Sequence, residues 1–336
     1  MAESTLESYP PLFRQTSNTN LGVDSDEPTK QVPDSDPLPV IDLQCINQAK
    51  LSEACRDWGM FRLVNHGIPT TLLSRLHEHA RKLFSFTFES KQALFTRPMA
   101  YSWGTPALTP SGEVIEKGLN LNVQNLNWME GFFAPLGQLS QLQTQDPMLD
   151  YFRLLLEEYG IHQFRLATTI FEAMAEDLKL CLKQSKSYLS PTTGMLRAYR
   201  YPRCPEALDQ ACGLDVHTDS SVLSILNQDE GGLQIYKDGD WIDVKPIPNT
   251  LVINLGDMMQ AISNDKYLSA KHRVKVNKHK ERISICYFVF PEEDTVIKSS
   301  KYKPFTYADF RAEVQQDLKT VGFKVGLQRF RLTKAC

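Results

Sequence analysis

A histidine and an aspartate stand two residues apart in the segment GLDVHTDSSVLSIL, residues 213–226. The apolar residues that follow them predict a β-strand, and side chains at positions i and i+2 of a strand project from the same face. His217 and Asp219 would therefore point into the same space and could bind one metal ion. The pair alone is a weak signal, because a His-x-Asp sequence is expected by chance in roughly a third of chains of this composition.

A third candidate ligand follows further along the chain. His272 begins another predicted strand in the segment KHRVKVN. Two histidines and one carboxylate form the facial triad of non-haem Fe(II) oxygenases. Three protein ligands on one face leave the other coordination positions open for a bidentate 2-oxo acid and dioxygen. His217, Asp219 and His272 are therefore candidate iron ligands.

Two polar residues share one face of the next predicted strand. Arg282 and Ser284 are at positions i and i+2 in RISICYFVF. Arginine offers a planar and permanently charged fork to a carboxylate, and serine adds a hydroxyl donor. Taken singly, Arg282 could instead be a surface residue of an edge strand, and Ser284 could be an ordinary strand residue without a function. The order of His-x-Asp, distal His, Arg and Ser on strands is the specific signal.

The elements that must position these residues change character along the chain. Residues 1–36 are rich in polar residues and proline, and we expect them to be disordered. Residues 37–192 contain mostly helical patterns, including a long one from Met148 to about Leu182 that Gly160 could bend. After residue 193, short β-rich runs alternate with turns, which predicts a sandwich or barrel. A final helix is expected where Thr306 and Asp309 fit a capping box.

Composition excludes several classes of protein. The 336 residues are 42% hydrophobic and 23% charged, with a net charge of -3, so no binding to nucleic acid or to a membrane is expected. No apolar run has the ~18 residues needed to cross a bilayer. The seven cysteines are scattered without a CxxC motif, which favours a reducing compartment. We expect a cytoplasmic monomer, with the nucleus as the alternative location.

The sequence resembles the plant 2-oxoglutarate- and Fe(II)-dependent dioxygenases, and among them the gibberellin oxidases of the 2-oxidase type that act on C20 gibberellins. The segments that carry this resemblance are LPVIDL, RDWGMFRLVNHGIP, NWMEGFFAPL, RYPRCP, GLDVHTD, KHRV and ERISICYFVFP. The resemblance implies a mainly β fold, a double-stranded β-helix or jelly roll with flanking helices. It also implies that His217, Asp219 and His272 bind Fe(II), while Arg282, Ser284 and Tyr201 bind 2-oxoglutarate. Ascorbate is the expected reductant.

Two features depart from that family's pattern. The family has asparagine two residues before the tyrosine of its N-x-Y-P motif, and here Tyr199 occupies that position. Tyr199 could crowd the co-substrate or donate a new hydrogen bond to it, or it could pack elsewhere. The segment 107–127 is also longer and differently composed than expected. Four aromatic residues are candidates to line a pocket for a rigid diterpenoid, and each could instead belong to the core: Trp103, Trp128, Phe132 and Phe290.

The expected function is oxygenation of a small molecule that consumes O2 and 2-oxoglutarate. The first expectation is hydroxylation of a gibberellin or a gibberellin precursor. One alternative is the same chemistry on another small plant metabolite, such as a flavonoid or another hormone, since function resides in the site rather than the fold. A second alternative is a jelly-roll protein that binds ligand without turnover. A complete set of five polar site residues argues against this last alternative.

Overall fold

The computed structural model describes residues 6–17, 36–104, 127–204 and 212–332. Segment 107–127 lies outside these ranges except for Asn127. The described strands are β1 Val40–Asp42, β2 Met60–Val64, β3 Ala100–Trp103, β4 Glu130–Pro135, β5 Met195–Tyr201, β6 Cys212–His217, β7 Leu223–Gln228, β8 Leu233–Lys237, β9 Asp240–Asp243, β10 Leu251–Leu255, β11 His272–Lys275, β12 Arg282–Val289, β13 Val296–Ile297 and β14 Phe305–Thr306. The described α-helices are α1 Pro11–Ser17, α2 Gln48–Glu53, α3 Thr70–Phe84, α4 Phe88–Leu94, α5 Pro147–Asp177, α6 Leu182–Ser187, α7 Asp257–Ile262 and α8 Tyr307–Thr320.

Two sheets form the centre of the molecule. The larger has eight strands in the order β1-β2-β10-β7-β12-β5-β4-β3, and the smaller has four in the order β6-β11-β8-β9. Their facing sides share one apolar cluster, to which Val252 and Tyr201 come from the larger sheet and Ile235 and Val274 from the smaller. The predicted mainly β core with flanking helices is therefore confirmed. We call the space between the two sheets the barrel interior.

The outer face of the larger sheet packs against helices. Side chains alternate between the two faces of a strand, so Leu196 and Ala198 of β5 join the helix-side core while Tyr199 and Tyr201 join the cluster of the barrel interior. Helix α5 runs without interruption from Pro147 to Asp177, so Gly160 does not break it. The helix-side core buries much of the apolar surface of α3 and α5 against this face of the sheet.

The N-terminal segment differs from its predicted disorder over residues 6–17. It forms a short 3-10 helix at Leu6–Ser8 and then α1. Phe13 is fully buried, and its ring lies 4.1 Å from that of Trp128. Disorder was predicted from the polar composition, but two aromatic residues in the segment, Tyr9 and Phe13, supply enough apolar surface to hold it on the protein. The other residues of 1–36, except Asp36, lie outside the described ranges.

A buried group of charges lies beneath this segment. The carboxylate of Glu130 contacts both Lys91 and Arg200, and all three side chains are almost fully buried. Lys91 donates to the backbone carbonyl of Ser8 at 2.6 Å, and Arg200 donates to the same carbonyl at 3.0 Å. Burial lowers the pKa of Lys91 to about 8, although Glu130 opposes this shift. The N-terminal segment thus supplies acceptors that the two buried cations require.

The C-terminal helix begins as the sequence predicts. Thr306 accepts a hydrogen bond from the backbone of Asp309, whose carboxylate accepts from the backbone of Thr306, and this completes a capping box. No helix in the described ranges is both long and apolar enough to cross a membrane. The domain boundary at residue 193 stays a prediction. Strands β1 to β4, which precede it, belong to the same sheet as β5, β7, β10 and β12.

Candidate active site

Two strands of the smaller sheet bring the first three candidate residues together. His217 ends β6, His272 begins β11, and the two are direct partners in the antiparallel register. Asp219 follows β6 by two residues. Its Oδ1 lies 3.7 Å from Nε2 of each histidine. The three ligand atoms all lie within 4.8 Å of one another, so these three residues could hold a metal ion.

Backbone carbonyls orient both imidazoles. Nδ1 of His217 lies 2.7 Å from the carbonyl oxygen of Asp215, and Nδ1 of His272 lies 3.0 Å from that of Ala270. A carbonyl oxygen only accepts hydrogen bonds, so each Nδ1 must carry the proton. The Nε2 lone pairs are then free on the side that faces Asp219, as metal binding requires.

The carboxylate of Asp219 is fixed by two donors. Ser224 Oγ and Asn254 Nδ2 each donate to Oδ2 at 2.6 Å. These bonds occupy one carboxylate oxygen and leave Oδ1 for the side that faces the imidazoles. Sequence reasoning missed Ser224 and Asn254. The available signal was a polar residue within an apolar strand, as in TLVINL and SVLSIL.

The charge states of these groups suit a divalent metal. Burial, together with the neighbouring His272, lowers the pKa of His217 to about 3, so that its imidazole is neutral at physiological pH. Burial alone would raise the pKa of Asp219, but the imidazoles and the hydrogen bonds from Ser224 and Asn254 lower it. Two imidazoles and one carboxylate are the donor set of mononuclear Fe(II) oxygenases, so the residues present fit this ion.

The loop that carries Asp219 is also held from the C-terminal side. Lys324 Nζ donates to the carbonyl of Thr218 at 2.6 Å and to Asp257 Oδ2 at 2.8 Å. The backbone N–H of Asp257 donates to the carbonyl of Asp219 at 2.8 Å. A Cβ at Gly256 would lie 2.1 Å from the carbonyl oxygen of Ser221, so only glycine allows this close approach.

The other two candidate residues lie on the larger sheet, in the barrel interior. Arg282 and Ser284 are only 2% and 1% exposed. Arg282 Nη1 donates to Ser284 Oγ at 3.0 Å, and its Nη2 donates to Gln228 Oε1 at 2.8 Å. These acceptors are neutral, and within the described ranges no carboxylate forms an ion pair with Arg282. A buried guanidinium of this kind favours an anionic ligand.

Tyr201 lies beside this arginine on the adjacent strand. Arg282 and Tyr201 are direct partners in the register of β12 and β5, and the guanidinium carbon lies 4.8 Å from the centre of the tyrosine ring. Burial raises the pKa of Tyr201, so its hydroxyl keeps its proton at neutral pH. Arg282, Ser284 and Tyr201, which the sequence grouped, therefore form one polar patch in the barrel interior.

Comparisons with known proteins agree with this geometry. A family model for the 2OG-Fe(II) oxygenase superfamily matches residues 192–291, and one for the N-terminal region of a non-haem dioxygenase in morphine synthesis matches residues 38–148. Gibberellin 2-beta-dioxygenase 6 of Oryza sativa subsp. japonica is 33% identical over 315 residues, which cover 87% of this chain and 84% of that protein. Gibberellin 2-beta-dioxygenase 8 of Arabidopsis thaliana is 37% identical over 310 residues, which cover 87% and 86%. The chain belongs to the 2OG-Fe(II) oxygenase superfamily.

Solved structures place the fold in the same superfamily. The crystal structure of JOX2 in complex with 2OG, Fe and JA has a TM-score of 0.68 and 29% identity, with 82% of this chain and 84% of that chain covered. The dioxygenase for auxin oxidation in rice has a TM-score of 0.69 and 24% identity, with 88% and 100% covered, and shows the fold alone. The predicted jelly-roll core is confirmed. As a 2OG-Fe(II) oxygenase, the chain is a dioxygenase that uses Fe(II), 2-oxoglutarate and O2 with a small-molecule substrate.

Three of the four aromatic candidates do not line the barrel interior of this oxygenase. Phe132 stacks between Phe84 and Phe95, at ring distances of 4.1 and 3.9 Å, within the helix-side core. Trp128 and Trp103 pack against Phe13 of the N-terminal segment. These positions agree with the alternative that the three belong to the core, because strand alternation turns Phe132 outward and the N-terminal segment packs on both tryptophans.

The aromatic residues of the interior come from neighbouring positions. Phe133, which the sequence reasoning missed, points into the barrel interior beside Tyr199, with a ring distance of 6.0 Å. Phe290 follows β12 and stacks on Tyr307 of α8, with a ring distance of 4.8 Å. It stays a candidate substrate contact. Alternation within the strand GFFAP places Phe132 and Phe133 on opposite faces, but it does not tell which of the two faces the interior.

Proposed function

We propose that this oxygenase hydroxylates a gibberellin-type diterpenoid, with Fe(II) held by His217, Asp219 and His272. The observation that supports the substrate is the 33% and 37% identity to two gibberellin 2-beta-dioxygenases over at least 84% of their length. The convergence of two imidazoles and one carboxylate in the barrel interior supports the assignment of the ligands.

We assign the binding of 2-oxoglutarate to Arg282, Ser284 and Tyr201. The buried guanidinium would form charge-assisted hydrogen bonds with the carboxylate distant from the metal, and the serine and tyrosine hydroxyls would add donors. Arg282 is itself held by Gln228 and by the carbonyl of Glu230. A fixed guanidinium of this kind sets the depth at which the co-substrate binds.

The overall reaction balances because one atom of O2 enters succinate and the other enters the hydroxylated substrate. Bound Fe(II) supplies the chemistry by which O2 and 2-oxoglutarate become succinate and carbon dioxide, while a C–H bond of the substrate becomes C–OH. The protein contributes position and shielding. Ser224 and Asn254 fix the carboxylate, the carbonyls of Asp215 and Ala270 fix the imidazole tautomers, and apolar residues such as Phe133 exclude water from the interior.

An acidic plant hormone of another class is the second candidate substrate. Its support is the 29% identity to JOX2, whose structure contains JA, and the 30% identity to Jasmonate-induced oxygenase 2 of Arabidopsis thaliana. A single panel of substrates separates the two candidates. The panel would hold C19 and C20 gibberellins, jasmonic acid, indole-3-acetic acid and a flavonoid.

The decisive experiment is incubation with Fe(II), 2-oxoglutarate, ascorbate and each compound, followed by mass analysis and measurement of succinate. We expect a gain of one oxygen atom on a gibberellin and one succinate for each product molecule. Turnover of another compound with no change in any gibberellin would overturn the substrate assignment. Tight binding of a gibberellin without O2 consumption would indicate a binding protein instead.

We also propose that the enzyme acts as a monomer, because one chain supplies all the candidate ligands. A single species of about 38 kDa in sedimentation would agree with the chain mass of 38.3 kDa. The cytoplasmic location stays a prediction from the sequence.

A further inference from the structure

The barrel interior contains a second arginine for which the reaction described so far has no use. Arg197 lies on the inner face of β5, opposite Phe133 of β4 and Cys286 of β12 in the register. Its guanidinium carbon lies 4.9 Å from the ring centre of Phe288 and 5.2 Å from that of Phe133. The arginine is therefore enclosed largely by apolar rings.

The hydrogen-bonding capacity of this arginine is mostly unused. Nη1 donates to the hydroxyl oxygen of Tyr199 at 3.3 Å, while the buried Nε has no partner. Among the residues that the structure describes, no carboxylate lies within ion-pair distance of Arg197. The charge of Asp219 acts on Arg197, but the oxygens of this carboxylate face the imidazoles and its own two donors. Arg197 is partly buried, and a cation withdrawn from water without a counter-charge is costly unless a ligand supplies one.

Tyr199 adds a donor beside this cation. Its hydroxyl oxygen accepts from Arg197, so its own proton is available to a ligand. Burial raises the pKa of Tyr199, which keeps that proton in place at neutral pH. The ring fits because residue 131 is glycine, since a Cβ there would lie 2.8 Å from Cδ1 of Tyr199. The adjacent strand β4 therefore leaves room for a tyrosine at the position where the family has asparagine.

The position of Arg197 separates it from the patch assigned to 2-oxoglutarate. Arg282 pairs with Tyr201, and Arg197 stands four residues before that tyrosine on β5, which is about 13 Å at the rise of a strand. Arg282 and the metal ligands account for both carboxylates of 2-oxoglutarate. Arg197 is left for a different anion. It lies at the end of the interior toward Tyr307 of α8, whose hydroxyl influences the arginine electrostatically.

We propose that Arg197 and Tyr199 form a carboxylate-binding subsite for the organic substrate. This inference rests on the proposed function only for the identity of the substrate. The class of substrate that it predicts is any carboxylic acid that fits within the barrel interior. Gibberellins belong to that class. The subsite would hold the acid group and thereby fix which C–H bond is presented to the metal.

The test compares acids with their methyl esters, which keep the shape and lose the charge. The pairs would be a C20 gibberellin, jasmonic acid and indole-3-acetic acid, each with its ester. We expect the wild type to turn over at least one acid with a KM about 10- to 100-fold lower than that of its ester. Arg197→Gln should remove this preference and leave the KM for 2-oxoglutarate unchanged. Tyr199→Phe should raise the KM for the acid several-fold.

Controls separate the outcomes. Arg75→Gln removes an exposed arginine from α3 and should change neither constant. Arg197→Lys should retain part of the acid preference. If Arg197→Gln raises the KM for 2-oxoglutarate and leaves the acid preference intact, the subsite serves the co-substrate and the proposal is wrong. Equal turnover of acid and ester by the wild type for every pair would also overturn it, whereas turnover of jasmonic acid alone would overturn only the gibberellin assignment.

Discussion

Lys324 donates to the backbone carbonyl of Thr218 at 2.6 Å, although 106 positions separate the two residues. The same ammonium group pairs with Asp257, whose N–H in turn bonds the carbonyl of Asp219. The short segment after α8 therefore holds the loop from which the candidate carboxylate ligand projects. In this way the C-terminal end of the described chain is coupled to the metal site.

Replacement of this lysine should weaken metal binding. In Lys324→Met the carbonyl of Thr218 loses its donor, and we expect Fe(II) affinity to fall about 10-fold, as is common for residues that orient ligands. Titration of the apo-protein with Fe(II) under anaerobic conditions measures this. Because the change also leaves Asp257 unpaired, the double variant Lys324→Met with Asp257→Asn serves as the control for stability. If the double variant regains both thermal stability and full Fe(II) affinity, the contact with Thr218 has no part in metal binding.

The hydrogen bond from Asn254 to Asp219 gives a second prediction. In Asn254→Leu the carboxylate keeps only Ser224 as a donor, so it can rotate away from the imidazoles. We expect Fe(II) affinity to fall by about 10- to 100-fold, while Asp219→Ala should abolish turnover. Asp294→Asn is the control, because this exposed side chain lies after β12, outside the proposed ligand set and its supporting residues. Wild-type affinity in Asn254→Leu would show that Asp219 does not need this support.

The role assigned to Arg282 predicts a defect specific to the co-substrate. Arg282→Lys keeps the charge but loses the planar fork, so we expect the KM for 2-oxoglutarate to rise about 10-fold or more. The KM for the organic substrate should change much less. Steady-state rates of succinate formation at varied 2-oxoglutarate give both values. An unchanged KM for 2-oxoglutarate would mean that its distal carboxylate binds elsewhere.

The packing of the N-terminal segment predicts a loss of stability. Phe13 is fully buried against Trp128, and Phe13→Ala should lower the free energy of unfolding by about 3–5 kcal/mol. Leu6→Ala is the control, since Leu6 is 44% exposed and its loss should cost less than about 0.5 kcal/mol. Denaturant unfolding measures both. Equal stability of the two variants would show that the segment does not pack on the protein in solution.

The local geometry of strands made part of the site predictable. Arg282 and Ser284 were grouped because residues two apart on a strand share a face, and both lie on β12. The same rule grouped His217 with Asp219, and the two do converge, but Asp219 lies beyond the end of β6, so the strand period does not by itself explain their approach. That rule needs only the period of a strand, which is a property of the backbone. The capping box at Thr306 was predictable for the same reason, since all of its atoms come from four consecutive residues.

Partners that are distant in sequence were not predictable. Asn254 reaches Asp219 from a strand 35 positions away, and Lys324 reaches Thr218 from beyond α8. The choice between Phe132 and Phe133 also depended on which face of β4 meets the helices. Such contacts depend on sheet order and register, and a shift of one residue in register would exchange the two faces.

The sequence by itself determined the chemistry: a set of two imidazoles, a carboxylate, an arginine and a serine, of which the last two lie on one strand whose period directs both to the same side. The tertiary structure alone decided how that set is supported and what else faces it, including Arg197, which has no carboxylate partner among the described residues, and the ordered segment around Phe13. The reason is physical. Side-chain direction within a strand is set locally, whereas burial, counter-charge and hydrogen-bond partners are set by which strands the folded sheets place side by side.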